Sequence, residues 1–158
     1  MILRDLRATD VADVHALNEG GTPGVATATP DHLAWLLERA TIALGAEIDG
    51  RLAAFCLVLP PGTAYESVNY RWFGERYRDF VYLDRVAVAA RHRGGGLGSA
   101  LYREVERRAT AAWFTLEVNL RPRNDGSLRF HARHGFAEVG QLETDYGCLV
   151  SLMAKRLR

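Results

Sequence analysis

The chain has 158 residues, 48% of them hydrophobic, and a formal net charge of +1; that size and balance fit one domain, residues 1–158, with a real core. The near-neutral charge argues against general nucleic-acid binding, and no apolar run approaches the roughly 20 residues that span a bilayer. Two cysteines, Cys56 and Cys148, lie in apolar strand-like runs; they are too few for a disulfide framework or a zinc site, so no metal is expected.

In chain order, residues 2–7 alternate and predict a first strand, while Arg4 and Asp5 interrupt any signal-peptide core, so the expected location is cytoplasmic. Thr9 or Asp10 can cap a helix carrying Val11, Val14 and Leu17. Residues 18–24 are a loop by composition. Pro30-Asp31 opens a second helix whose apolar side is Leu33, Trp35, Leu36 and Leu37. Residues 41–48 and 52–59 read as strands joined at Asp49-Gly50, a strong hairpin signal. Residues 60–79 read as irregular. Residues 80–89 form a strand by their β-branched and aromatic content. Residues 97–110 form a helix with Leu97, Leu101, Val105 and Ala109 on one face. A strand over 113–119, a helix over 125–133 and two terminal strands from Phe136, the last ending near Ala154, complete the order β-α-α-β-β-β-α-β-α-β-β. That order gives one mixed α/β sheet.

The most informative stretch joins the strand at 80–89 to the helix at 97–110: Arg91-His92-Arg93-Gly94-Gly95-Gly96-Leu97-Gly98-Ser99. Glycines allow a sharp turn and uncover backbone N–H groups. Donors at a helix start, with its partial positive charge, suit phosphate oxygens. A nucleoside-triphosphate P-loop would need a lysine after its last glycine, yet Ser99 follows Gly98 and Lys155 is the only lysine. A dinucleotide fingerprint, Gly-x-Gly-x-x-Gly, would place its last glycine at Ser99 or Leu101. The spacing that fits is Arg-x-x-Gly-x-Gly, from Arg93 to Gly98. A second segment follows: Leu116-Glu117-Val118-Asn119, then Asn124, then a helix ending His131-Ala132-Arg133-His134-Gly135-Phe136.

These two motifs, in this order, resemble the GNAT superfamily of acyl-CoA-dependent N-acyltransferases, and the element order matches that fold along nearly the whole chain. The resemblance implies a mostly antiparallel twisted sheet flanked by helices, with splayed central strands, and acetyl-CoA as cofactor. Main-chain groups of Val86 and Val88 would pair with the pantetheine arm, one N–H polarising the thioester carbonyl. The N–H groups of Arg93, Gly94, Gly95, Gly96, Leu97, Gly98 and Ser99 would hold the pyrophosphate, and Asn124 would contact the arm from the facing side. His131 stands where the family usually has tyrosine.

N-acyl transfer needs an uncharged amine and a proton for the departing thiolate. Glu117 matches the catalytic glutamate of ribosomal-protein alanine N-acetyltransferases; the other reading is a solvent-facing or ion-paired strand residue. Asp84 sits where other members place an acidic base, or else pairs with an arginine such as Arg85. A carboxylate in an apolar cleft can accept an amine proton, directly or through water. His131 could protonate the thiolate as an imidazolium, since an unperturbed histidine is roughly a quarter protonated at pH 7; a neutral imidazole with its N–H aimed at sulfur could also serve, or the ring could merely pack or hydrogen-bond beside the sulfur. Residues 65–80 carry six aromatics, which would wall a pocket or an interface or pack as a satellite core. Asn69, Trp72 and Phe73, with Asn119, are the candidate acceptor contacts. The implied activity is acetyl transfer from acetyl-CoA to a primary amine of a small molecule, amino acid or peptide N-terminus. A non-catalytic acyl-CoA-binding or sensing module is the alternative, and a homodimer is left open.

Overall fold

A computed structural model describes residues 1–158. Its elements in chain order are β1 Ile2–Asp5, α1 Val11–Gly20, α2 Pro30–Arg39, β2 Ile42–Ile48, β3 Arg51–Leu59, α3 Val68–Arg76, β4 Phe80–Val88, α4 Leu97–Arg108, β5 Trp113–Arg121, α5 Asp125–Arg133, β6 Ala137–Glu143 and β7 Leu149–Arg156. The seven strands make one sheet in the order β1-β2-β3-β4-β5-β7-β6. The β1–β2, β2–β3, β5–β7 and β6–β7 pairs are antiparallel, and β4–β5 is parallel. No helix is long and apolar enough to cross a membrane. The chain divides into two compact units, Met1–Pro60 with Leu83–Ala109, and Pro61–Tyr82 with Thr110–Arg158.

In the first unit, Asp49 and Gly50 turn β2 into β3 with φ of 52° and 76°, the pair of positive angles that a two-residue hairpin of this hand requires. Seven of the nine β3 residues are buried in an unbroken run, as expected of a strand covered on both faces. Helices α1 and α2 pack against β3, and α4 against both β2 and β3. Thr29 caps α2 by accepting from the His32 N–H at 3.1 Å, with Pro30 in the first turn. Leu33 and Leu36 are buried beneath it, each contributing about 2 kcal/mol. The predicted apolar face of α4 is the buried one, joined by Tyr102. Several boundaries shift by one or two residues, β1 ending at Asp5, α4 at Arg108 and β5 at Arg121, and α1 runs through Asn18 to Gly20, into the stretch read as a loop. Asn18 is fully buried there and donates through Nδ2 to the Ala26 carbonyl at 3.0 Å, so tertiary contact overrides a loop-like composition.

In the second unit, β7 runs between β5 and β6, antiparallel to both. The β4–β5 ladder has Phe80 opposite Trp113, Val81 opposite Phe114 and Tyr82 opposite Thr115. Side chains alternate across a strand, and the ring contacts identify the two faces. On one face lie Tyr82, against Tyr70 and Phe73 of α3, and Trp113, against Tyr77. On the other lie Phe114 and Phe136, with His131 of α5 against Phe136. Helix α3 is a correction, since residues 60–79 read as irregular. Ser67 caps it by accepting from the Tyr70 N–H at 3.2 Å. Its aromatic and β-branched residues have weak helix propensity, so burial of Tyr70 and Phe73 supplies the stability instead. Cys56 is buried on β3, whereas Cys148 is half-buried in the turn before β7 rather than in a strand.

Candidate functional site

The first unit carries the glycine-rich loop. Gly94 and Gly96 hold φ of 78° and 86°, the left-handed region that costs other residues about 1–2 kcal/mol. Gly96 is the N-cap of α4 and supplies no side-chain cap. A helix start capped this way turns its first-turn N–H groups toward whatever occupies the loop. Arg93, Gly94, Gly95 and Gly96 are exposed, Gly98 and Ser99 partly so, and Leu97 is buried as the first core residue of α4. The Arg93 and Gly95 N–H groups already donate to the Ala90 and His92 carbonyls, at 3.4 and 3.3 Å; the other N–H groups of the loop and of the first turn of α4, with no Cβ on the glycines in the way and a helix dipole behind them, fit a pyrophosphate.

Along β4, Ala87 is buried while Val86 and Val88 are half-buried. Asp84 and Arg85 form a buried ion pair, Nε to Oδ2 3.0 Å, with side chains only 4% and 6% exposed. Arg85 also donates to Asn18 Oδ1 at 3.1 Å and to the Ala26 carbonyl at 3.2 Å. His32, in the first turn of α2, feels both charges, but burial is what chiefly holds its pKa below the ordinary histidine value. Asp84 therefore has the arginine partner that the alternative reading named.

Glu117 lies in the second unit, mid-strand on β5 opposite Leu152 of β7. The hydroxyl of buried Tyr82 donates to its Oε1. Tyr146, in the turn between β6 and β7, is held above the ordinary tyrosine range, first by partial burial and then by the Glu117 charge. Its hydroxyl accepts from Asn69 Nδ2 at 2.9 Å. Asn69 is 3% exposed, and its Oδ1 is buried without a hydrogen-bond partner. An unmade bond of that kind is costly, so the carbonyl is complementary to an incoming N–H. Glu117, Tyr82, Asn69 and Tyr146 thus form one polar cluster.

The two aromatic acceptor candidates both make packing contacts. Phe73 is fully buried, packed on Tyr82 and Tyr77. Trp72 packs over Gly140 of β6, where a Cβ would lie 2.6 Å from its Cζ2, and the Arg76 guanidinium stacks 4.1 Å from its ring centre. Asn119 sits on β5 opposite Val150, and its carbonyl accepts from the Asn124 N–H at 3.1 Å. Asn124 itself caps α5, its Oδ1 accepting from the Ser127 N–H at 3.2 Å.

His131 reaches the sheet from the face opposite Glu117 and is 5% exposed. Its Nδ1 lies 2.7 Å from the Ser127 carbonyl, which can only accept, so the proton of the neutral ring belongs on Nδ1. Burial pushes its pKa down to about 4, against the opposing pull of that same bond. At neutral pH the ring carries no second proton on Nε2. This environment disfavours an imidazolium donor, and the Nδ1 proton is turned to the Ser127 carbonyl.

Two members of the cluster escaped the sequence reading. Tyr82 precedes Asp84 by two positions and so shares its face of β4, but only the parallel register brings it to Glu117. Tyr146 carried a signal, an aromatic in the turn Thr144-Asp145-Tyr146-Gly147, and its meaning required the fold.

Solved structures share the architecture. Ard1 from Thermoplasma volcanium superposes with a TM-score of 0.80 at 18% identity, covering 98% of this chain and 96% of that one. The ribosomal-protein-S18-alanine N-acetyltransferase from Escherichia coli gives 0.75 at 20% identity, covering 99% and 93%. The yncA protein from Salmonella typhimurium, solved with its cofactor acetyl-CoA, gives 0.74 at 21% identity, covering 100% and 94%. No curated protein matches the chain in sequence. Residues 12–136 match the acetyltransferase (GNAT) family, and the chain belongs to that family.

Proposed function

We propose that this protein transfers the acetyl group of acetyl-CoA to a primary amine of a small molecule, amino acid or peptide N-terminus, with Glu117 as the base. The observation that carries the reading is the Glu117 carboxylate held by the Tyr82 hydroxyl, in one cluster with Tyr146 and the unpartnered Asn69 carbonyl. Bound acetyl-CoA supplies an acetyl thioester, the activated carbonyl that the amine attacks. The loop from Arg93 to Ser99 holds the pyrophosphate through backbone N–H groups. Main-chain groups of Val86 and Val88 hold the arm, and one such N–H polarises the carbonyl. Glu117 takes the proton from the attacking amine, directly or through water; the amide forms as the thioester C–S bond breaks, and the departing thiolate takes its proton from water, with Asn69 on the acceptor side. Glu117 is preferred to Asp84 because the Asp84 carboxylate is tied into its pair with Arg85.

The E. coli ribosomal-protein-alanine enzyme makes peptide N-termini a natural first group in an acceptor panel. The test has two parts. Acetyl-CoA should raise the melting temperature by mass action while ATP and NAD do not, and no shift at saturating acetyl-CoA would remove the cofactor. Thiol release should then depend on an added amine. Binding with no thiol release across small amines, amino acids and peptides would instead support the acyl-CoA-binding module.

A further inference from the structure

Two arginines hold the chain that follows α1. Arg93 donates through Nη2 to the Gly20 carbonyl at 2.9 Å and through Nε to the Val88 carbonyl at 3.3 Å. Arg85 grips Asn18 and the Ala26 carbonyl. Between them Gly21 lies against β4: a Cβ there would come 3.3 Å from Ala87 Cβ and 2.9 Å from Val25 Cγ1. Residues 20–26 are therefore fastened along the same stretch of β4 that carries Val86 and Val88.

The two grips differ in kind. Arg85 is buried and paired to a carboxylate, so its hold does not depend on what is bound. Arg93 is exposed, begins the phosphate loop, and is bonded to two neutral carbonyls. A guanidinium has five N–H donors in a rigid fork, so Arg93 can add a phosphate oxygen without releasing Gly20. A guanidinium–phosphate bond joins two ionised groups, unlike the bonds to the two carbonyls, and a fork fixed at one end by phosphate holds its other partners in place.

We propose that Arg93 is a positioning residue that transmits occupancy of the phosphate loop to residues 20–26, tightening that segment along β4 when a pyrophosphate is bound. This rests on the acetyl-CoA reading above. The backbone of the loop binds the phosphates, and the Arg93 side chain reports that binding to the segment beside the arm-holding strand.

Hydrogen–deuterium exchange tests it, using wild type and Arg93→Ala, each alone, with saturating acetyl-CoA, and with acetyl-pantetheine, which lacks the pyrophosphate. Acetyl-CoA should slow exchange of amides 94–99 in both proteins. In wild type it should also slow amides 20–26 by about fivefold or more, the lower end of couplings between sites. That second effect should vanish in Arg93→Ala, return in part in Arg93→Lys, and be absent with acetyl-pantetheine. Equal protection of 20–26 in wild type and Arg93→Ala would overturn the proposal while leaving the cofactor assignment intact. Absence of protection at 94–99 in wild type would overturn the acetyl-CoA reading, and the proposal with it.

Discussion

Replacing His131 with phenylalanine should change how stability depends on pH, by an amount the structure sets. The ring is buried against Phe130 and Phe136, and its pKa falls from 6.5 to about 4. Above pH 6.5 it is neutral in both folded and unfolded chains, and its contribution is fully present. Below that, the unfolded chain binds a proton that the folded chain refuses until about pH 4, so stability is lost as pH falls through this window. At 1.36 kcal/mol per pKa unit the whole loss is about 3 kcal/mol, and about 2 kcal/mol of it has occurred by pH 5. Phenylalanine keeps the packing and gives up the bond to the Ser127 carbonyl, an offset independent of pH. Urea unfolding of both proteins at about pH 7.5 and pH 5 isolates the effect. The advantage of wild type over His131→Phe should shrink by about 2 kcal/mol between those conditions. Parallel stability curves would refute the buried neutral imidazole. The same environment predicts that kcat shows no inflection near 6.5 belonging to His131.

Three other substitutions probe separate parts of the account. Gly96→Asp puts a left-handed penalty and a negative charge into the phosphate loop; calorimetry should find no acetyl-CoA binding by a folded variant, and unchanged affinity would show that the loop is not the phosphate site. Tyr82→Phe removes the donor to Glu117, and a hydrogen bond to a charged group is worth about 1.5–3 kcal/mol. Its kcat should fall roughly 10- to 100-fold at unchanged acetyl-CoA affinity, and equal kinetics would show that the hydroxyl does not position the base. Gly140→Val would drive a side chain into Trp72, only 2.6 Å from the nearest Cβ position, with an expected overpacking cost of about 1–3 kcal/mol; an unaltered melting temperature would mean that Trp72 does not clamp α3 to β6.

Most of the architecture was legible because its signals are local. Asp49-Gly50, Pro30-Asp31 and the Leu97-Leu101-Val105 spacing each act within a turn or two, and each marks the element found. Helix α3 was not legible, because Val68, Tyr70, Trp72 and Phe73 are poor helix formers whose conformation is set by what they bury against. The phosphate loop could be read because anion binding at a backbone nest demands glycines at fixed spacing. The polar cluster could be read only in part. Glu117 and Asn69 stood out by residue type, but Tyr82 reaches Glu117 through strand register and Tyr146 reaches Asn69 across 77 residues of chain. His131 was visible as an unusual residue. Its protonation follows from burial and from the Ser127 carbonyl, neither of which the sequence displays.

The central claim is that Glu117 removes the proton that frees the amine. The most direct measurement is amine-dependent thiol release from acetyl-CoA by wild type and Glu117→Gln, with acetyl-CoA affinity of both proteins measured separately by calorimetry. Glutamine keeps the shape and can still pair with Tyr82, but it cannot take a proton. The account predicts acetylated amine with wild type, and with Glu117→Gln a loss of about 10²–10⁴-fold in kcat at unchanged acetyl-CoA affinity, the usual worth of a general base. A glutamine variant that turns over at the wild-type rate would contradict it.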